Sequence, residues 1–392
     1  MNVLFLTHAF PRTGDDVAGS FILRLAVALR GEGISTRVLA PHAPGLAEED
    51  AVQGIPVRRF RYAPEQMETL AYAGTMAEQV RASWTARLAL GGLIAGAIRA
   101  AAREGKRHRP HLLHAHWWFP NGLAAVAVAA LRRLPLVTTL HGSDVRLAHQ
   151  VPGARPLYAG VAARSSVVTA VSSWLASQAA ALAPRAPEPR VAQMPVDVSL
   201  FSPGEGRAGD QLLFVGRLTA QKGVAILLRA LAELPREISV DVIGDGPEAD
   251  NLRMLASALQ LRERVRWHRA MPQASLVEFY RRATAVVVPS VDEGLGLVAV
   301  EAHLCEAPVV AFDSGGVRDV VVDGETGLLA DEVSARALSA AVAALLQRPD
   351  NGATLGKAGR SRALERFAPD VVARRYAAIY RDAINHFNDR QG

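Results

Sequence analysis

"QLLFVGRLTAQKG", residues 211 to 223, starts a second round of winding in this chain. An apolar run, Leu212 to Val215, leads into Gly216 and Arg217, with Lys222 and Gly223 close behind. Such a run reads as a strand buried on both faces. Two cations at a strand end and helix start suit an anion. Arg217 offers a planar fork and Lys222 a point charge, a fitting clamp for a diphosphate. Solvated surface charges are the plain alternative for these two side chains taken alone. The Walker pattern GxxxxGK[ST] is absent, and "VIGDGPE" (242–248) has GxG without the third glycine of a dinucleotide fingerprint.

Outward from this stretch the same alternation repeats. Downstream, "ISVDVIG" (238–244), "RVRWH" (264–268), "TAVVVPS" (284–290) and "APVVAF" (307–312) read as strands. Upstream, "NVLFLT" (2–7), "ISTRVLA" (34–40), "HLLHA" (111–115), "PLVTTL" (135–140) and "SVVTAV" (166–171) do the same. Helical stretches lie between them, such as 21–33, which runs to a glycine stop. Prolines and glycines then break the pattern over 184–210. The expected fold is therefore α/β, with two tandem doubly wound, Rossmann-like parallel-sheet domains facing across a cleft. The expected boundaries are 1–195, 196–368, and an amphipathic tail helix over 369–392 that packs back on the first domain. Ligands of such sheets bind beyond the carboxyl ends of the strands.

Composition narrows the class. The chain has 392 residues, too many for one core, and half are hydrophobic. The single Cys305 excludes a disulfide framework and reads as a buried apolar residue in a reducing compartment. The start carries no basic n-region, so no secretory leader is expected. The longest apolar stretch, 88–102, is short for a membrane span. Basic residues over 103–111 suit a helix end, and the region 84–107 could contact an anionic membrane surface peripherally. The net charge of +6 comes without aromatic-interleaved basic runs, so no nucleic-acid partner is expected. The expected location is cytoplasmic, with peripheral contact on the inner face of the membrane.

Functional side chains gather where strands should stop. In "THAFPRTGDDVAGSF" (7–21), Gly19 stands before a helix whose free amides favour a phosphate. In "PSVDEGLGLVAVEA" (289–302), Glu293 and Glu301 are eight positions apart. One helix would leave them about 80° apart. A loop acid and a helix acid, separated by a glycine turn, resolve this. The amides of Gly294, Leu295, Gly296 and Leu297 can then approach a ligand closely. The structural alternative makes Glu293 a dipole complement and Glu301 a partner of Arg318. "TLHGSDV" (139–145) puts His141 and Asp144 at another strand end. "HAHWWFPNG" (114–122) offers an HxH pair, His114 and His116, with no third metal ligand evident. At least two of Trp117, Trp118 and Phe119 read as core. "DSGGVRDVVVDGETGLL" (313–329) opens a short helix with a second possible anion cradle.

Taken in order, these segments resemble the retaining family 4 glycosyltransferases of GT-B fold. The resemblance rests on Glu293-x7-Glu301, on Gly216-Arg217-x4-Lys222-Gly223, and on "HGSD", "VDVSLF" (196–201) and "GGVRDVVVDGETGLL". It implies a UDP- or GDP-sugar donor, with Glu301 on the ribose hydroxyls and Glu293 on the transferred sugar. Arg217 and Lys222 would bind the diphosphate, Gly19 would lie near the phosphates, and His141 would contact the sugar. The acceptor would be a glycan, a lipid-linked molecule or a small molecule, met near "FPRTGDD" and "HAHWWFP". No cofactor and no divalent metal are implied, consistent with the lack of a D-x-D motif at a strand end. The chain departs from the family pattern at Arg318-Asp319 and at Leu295 of "EGLG". A nucleotide-sugar epimerase or other non-transferase enzyme on the same scaffold is the alternative.

Overall fold

The computed structural model of the chain describes residues 1–14, 16–72, 74–204 and 209–390. Asp15 of the first loop and residues 205–208 of the expected connection lie outside the described residues. Contacts divide the chain into two compact units, residues 1–195 together with the tail from Pro369, and residues 196–368.

The first unit holds β1 (Asn2–Leu6), β2 (Ser35–Pro41), β3 (Glu49–Val52), β4 (Ile55–Phe60), β5 (Leu112–His116), β6 (Leu136–Leu140), β7 (Val167–Ala170) and β8 (Arg190–Val191). They form one sheet in the order β3-β4-β2-β1-β5-β6-β7-β8. Only β3 runs antiparallel to its neighbour. Strand order reverses at β1, which pairs with both β2 and β5. The loops after β1 and β5 therefore open at a topological switch point, where such sheets bind ligands.

One face of this sheet carries Leu4, Leu6, Leu113 and Ala115, packed with small residues such as Ala97, Ala101, Ala124 and Ala125. The first two of these come from the helix Trp84–His108, 25 residues long. By length and composition it could cross a membrane, unlike the shorter 88–102 stretch expected from the sequence. Its Ala89, Leu93, Ala97 and Ala101 are buried, while Trp84 and Leu88 stay exposed. Beneath the other face lies the tail helix Pro369–Asp389, whose Tyr376 and Tyr380 are fully buried. Tyr380 Oη meets His114 Nδ1 at 2.8 Å, which ties the tail to β5.

The second unit holds β9 (Gln211–Val215), β10 (Ser239–Ile243), β11 (Val265–His268), β12 (Ala285–Val288), β13 (Val309–Phe312) and β14 (Gly327–Ala330). All are parallel, in the order β11-β10-β9-β12-β13-β14. Its core joins Leu212, Phe214, Val240, Val242 and Phe312 to Leu227, Leu231, Leu338 and Val342 of the flanking helices. Here the order reverses at β9, so the 216–223 segment also lies at a switch point.

The runs read as strands in the sequence are strands here, with ends shifted by a residue or two. The sequence reading missed β3, β4, β8 and β14. β3 is mostly exposed and polar, and β4 is interrupted by Pro56, so neither shows a clean apolar run. β8 has two residues and β14 starts at a glycine. The helix read over 21–33 is an α-helix over Ser20–Ala28 followed by a 3-10 turn ending at Gly33.

Candidate active site

In the second unit the chain leaves β9 through Gly216 and the exposed Arg217, then makes a short 3-10 turn, Ala220–Lys222. Gly223 closes it at φ 69°, and a Cβ there would lie 1.9 Å from the Pro289 carbonyl oxygen. Only glycine lets the loops after β9 and β12 press together this closely. The result is that Lys222 Nζ donates to Glu293 Oε2 at 2.6 Å. The two side chains keep 25% and 18% of their exposure. The sequence reading aimed these residues at different parts of a ligand, and the fold brings them together.

Glu293 itself is gripped through its backbone. Its carbonyl accepts from the Gly316 amide at 2.7 Å. The GG turn that opens the short helix 315–319 is thus a support for the Glu293 loop. Gly296, at φ 86°, caps the helix Leu297–Leu304, with Glu301 one turn in. The separation of a loop acid from a helix acid is therefore real.

Glu301 is 6% exposed. Its Oε2 accepts from Tyr280 Oη and its Oε1 from Gln273 Nε2, each at 2.8 Å. Burial, then the Glu301 charge, pushes the Tyr280 hydroxyl well above its ordinary value, so it keeps its proton and donates. Arg318, weighed as the partner of Glu301, instead pairs with Asp313 at 2.5 Å. Arg318 also donates to the Asp313 carbonyl at 2.8 Å, so its partner is Asp313 and not Glu301. Tyr280 and Gln273 escaped the sequence reading. Their positions seven apart on one helix look like an ordinary buried face.

In the first unit the loops after β1, β5 and β6 meet. Asp144 organises them. Its Oδ1 accepts from the amides of His141, Gly142 and Val145 at 3.0–3.1 Å, and its Oδ2 from the Trp118 amide at 3.1 Å. Burial raises the Asp144 carboxyl, and these amides oppose that shift. His141 lies against Trp117, ring centroids 4.4 Å apart, and its Nε2 is 3.1 Å from His116 Nδ1. His141 and Gly19, both predicted from the sequence, belong to this unit. Gly19 has φ 72°, and a Cβ there would lie 2.2 Å from the Ala9 carbonyl oxygen. The start of the helix at Ser20 is thereby pressed onto the loop after β1.

Trp117 and Trp118 are buried and Phe119 is partly exposed, as the core reading of two of the three expects. His114 and His116 do share a face of β5, and His141, placed by the sequence reading at a separate strand end, lies beside His116. His114 is taken up by Tyr380 Oη and Thr139 Oγ1, and His116 by His141. Among the described residues no group of three or more His, Cys, Asp or Glu is placed to hold a metal ion. Burial holds His114, His116 and His141 well below the ordinary imidazole range, and lowers His8 to about 4. All four are neutral rings at pH 7. His8 and Asn121, joined at 2.9 Å, were not singled out in the sequence, although both lie in its strand-end segments.

Two Rossmann-like sheets in tandem, with polar residues at both switch points, are the arrangement of the GT-B fold. Residues 18–200 match the model of "Glycosyltransferase Family 4", and residues 201–362 that of "Glycosyl transferases group 1". The chain belongs to family 4 of the glycosyltransferases. It is 32% identical to a D-inositol 3-phosphate glycosyltransferase of Kineococcus radiotolerans, over 96% of this chain and 93% of that one. It is 34% identical to a GDP-mannose-dependent α-(1-6)-phosphatidylinositol monomannoside mannosyltransferase of Mycolicibacterium smegmatis, over 60% of this chain and 67% of that one. In fold it is similar to sucrose-phosphate synthase of Thermosynechococcus elongatus, with TM-score 0.80, 22% identity, and 98% and 99% of the two chains covered. Anabaena HepE, solved with UDP-glucose, gives TM-score 0.72 and 20% identity over 97% and 99% of the two chains.

Proposed function

We propose that this glycosyltransferase moves a hexosyl unit, with retention at the anomeric carbon, from a UDP- or GDP-sugar to a hydroxyl of a lipid, glycan or small-molecule acceptor. The observation that carries the reading is the Lys222–Glu293 pair at the switch point of the second sheet, with the buried Glu301 on the helix that follows the Glu293 loop. A cation for a diphosphate and two acids for hydroxyl groups are what a nucleotide-sugar asks for. The names of relatives support both nucleotides, one as GDP-mannose-dependent and one structure as a UDP-glucose complex.

In this reading Glu301 accepts from the ribose hydroxyls, and Arg217 and Lys222 meet the diphosphate beside the amides of residues 294–297. The carboxylate of Glu293 takes hydroxyls of the transferred sugar. In the first unit, Gly19 serves the phosphates and His141 the sugar, as a neutral hydrogen-bonding ring. When the glycosidic bond breaks, negative charge grows on the leaving diphosphate, and preplaced cations stabilise that charge more than the ground state. The sugar becomes oxocarbenium-like, and the acceptor hydroxyl attacks the same face, its proton passing to the leaving phosphate. Cationic side chains take the place of a divalent metal. The exposed Trp84 and Leu88, followed along the same helix by exposed Arg99, Arg103, Lys106 and Arg107, would contact an anionic membrane surface peripherally.

A screen of UDP- and GDP-sugars for slow donor hydrolysis, with calorimetric titration of UDP and GDP, tests the reading. One nucleotide diphosphate should bind and its sugar should be hydrolysed. Binding of neither would overturn it. Flotation with phosphatidylglycerol vesicles, compared with phosphatidylcholine alone, tests the membrane contact, which equal recovery in both would refute.

A further inference from the structure

The segment "VDVSLF" and the helix Gln273–Arg282 have no part in the roles above, yet the structure links both to Glu301. We infer that Tyr280 and Gln273 are positioning residues of the ribose site, holding the Glu301 carboxylate by one oxygen each, and that the 201–202 segment seats the helix that carries them. The inference rests on the reading of Glu301 as the ribose acceptor.

The geometry is specific. Gln273 and Tyr280 lie seven residues apart on one helix, two turns, and so share a face. Both donate to the same carboxylate at 2.8 Å, one to Oε1 and the other to Oε2. A carboxylate with a donor on each oxygen has its plane set, because neither rotation nor a change of rotamer preserves both bonds. An ionised carboxylate has about four acceptor positions, so these two donors do not by themselves exhaust it. Glu301 reaches these donors from a separate helix of eight residues. Tyr280 is fully buried and cannot swing away, and its ring meets Phe201 edge-on at 5.8 Å. The next residue, Arg281, donates to the Ser202 carbonyl at 2.9 Å and to Ser202 Oγ at 2.7 Å. Phe201 is itself fully buried. The helix is thus pinned to the start of the unit on either side of the Tyr280 ring, and its aim at Glu301 follows from that anchorage.

The test compares binding of a nucleoside diphosphate with binding of its 2′,3′-dideoxy analogue, by calorimetry on the full chain, for wild type, Tyr280→Phe and Gln273→Ala. The nucleotide is UDP or GDP, whichever binds wild type. Wild type should lose about tenfold or more in affinity when the diol is removed, the usual size for hydrogen bonds to a charged group. In each variant that ratio should shrink severalfold, while thermal unfolding stays cooperative. A merely structural role would weaken both ligands equally and leave the ratio unchanged, which would overturn the inference. A wild type that does not discriminate the two ligands would instead overturn the ribose reading of Glu301. Should Tyr280→Phe not fold, Gln273→Ala decides alone, since Gln273 is only partly buried.

Discussion

Replacing Glu293 by Gln separates two roles that the structure has joined. In the free protein Glu293 Oε2 holds Lys222 Nζ at 2.6 Å, with the Lys222 side chain about one quarter exposed and that of Glu293 about one fifth. An ion pair with this much solvent contributes roughly 1 kcal/mol net. A diphosphate that recruits Lys222 must first disengage or share it, so its affinity is lowered by that amount. The neutral amide removes the competition, and affinity for the diphosphate should rise about fivefold. Turnover of the sugar nucleotide should move the other way. If the carboxylate meets sugar hydroxyls whose hydrogen bonds strengthen as the oxocarbenium develops, kcat should fall about a hundredfold or more. The assay is calorimetry with UDP or GDP beside steady-state transfer or hydrolysis of the matching sugar nucleotide. Weaker diphosphate binding with unchanged kcat would refute the reasoning and place Glu293 on the nucleotide instead of the sugar.

Three other outcomes are expected. Gly19→Ala puts a Cβ into the Ala9 carbonyl at a positive φ, and should cost at least about 1–3 kcal/mol, read as a lower urea midpoint; an unchanged midpoint would mean that the loop after β1 yields freely. Asp144→Asn keeps one acceptor oxygen where the structure uses two, and should lose about 1–3 kcal/mol, with the Trp118 amide or the His141–Val145 amides deprotected in hydrogen exchange. Stability should also fall on acidification from pH 6.5 towards 4. His8 and His303 are lowered to about 4, and His114, His116 and His141 well below 6.5, all by burial. In that window the unfolded chain binds more protons than the folded one, so stability rises with pH, by up to about 1.4 kcal/mol per pH unit per ring. Asp144, raised by burial, works in the opposite direction but is one group against five. A urea midpoint flat between pH 7 and 5 would contradict this.

The alternation of apolar runs and helices was enough for two parallel α/β units, because a strand buried on both faces must be apolar throughout. The same reasoning fails for β3, an exposed polar edge strand that pairs only with β4, and for β4, whose apolar residues are broken up by Pro56 and two arginines and which joins the sheet through β2. Glu293, Glu301, Arg217 and Lys222 of the second unit and His141 of the first were legible as charged or polar residues just after strands or at helix starts. Their separation into a loop acid and a helix acid followed from the glycines between them.

What surrounds those residues was not legible. The Lys222–Glu293 bond spans 71 positions, the Tyr280–Glu301 bond 21, and the Tyr380–His114 bond 266. Local sequence carries backbone preference and residue chemistry. It does not carry which two strand ends become neighbours, and that depends on sheet order. β9 beside β12 brings Lys222 to Glu293, and the helix before β12 turns Tyr280 and Gln273 towards Glu301. The sequence alone therefore determined the chemical groups and the strand ends that bear them. Only the tertiary structure decided their partners, because burial and a fixed sheet order convert distant residues into contacts shorter than 3 Å.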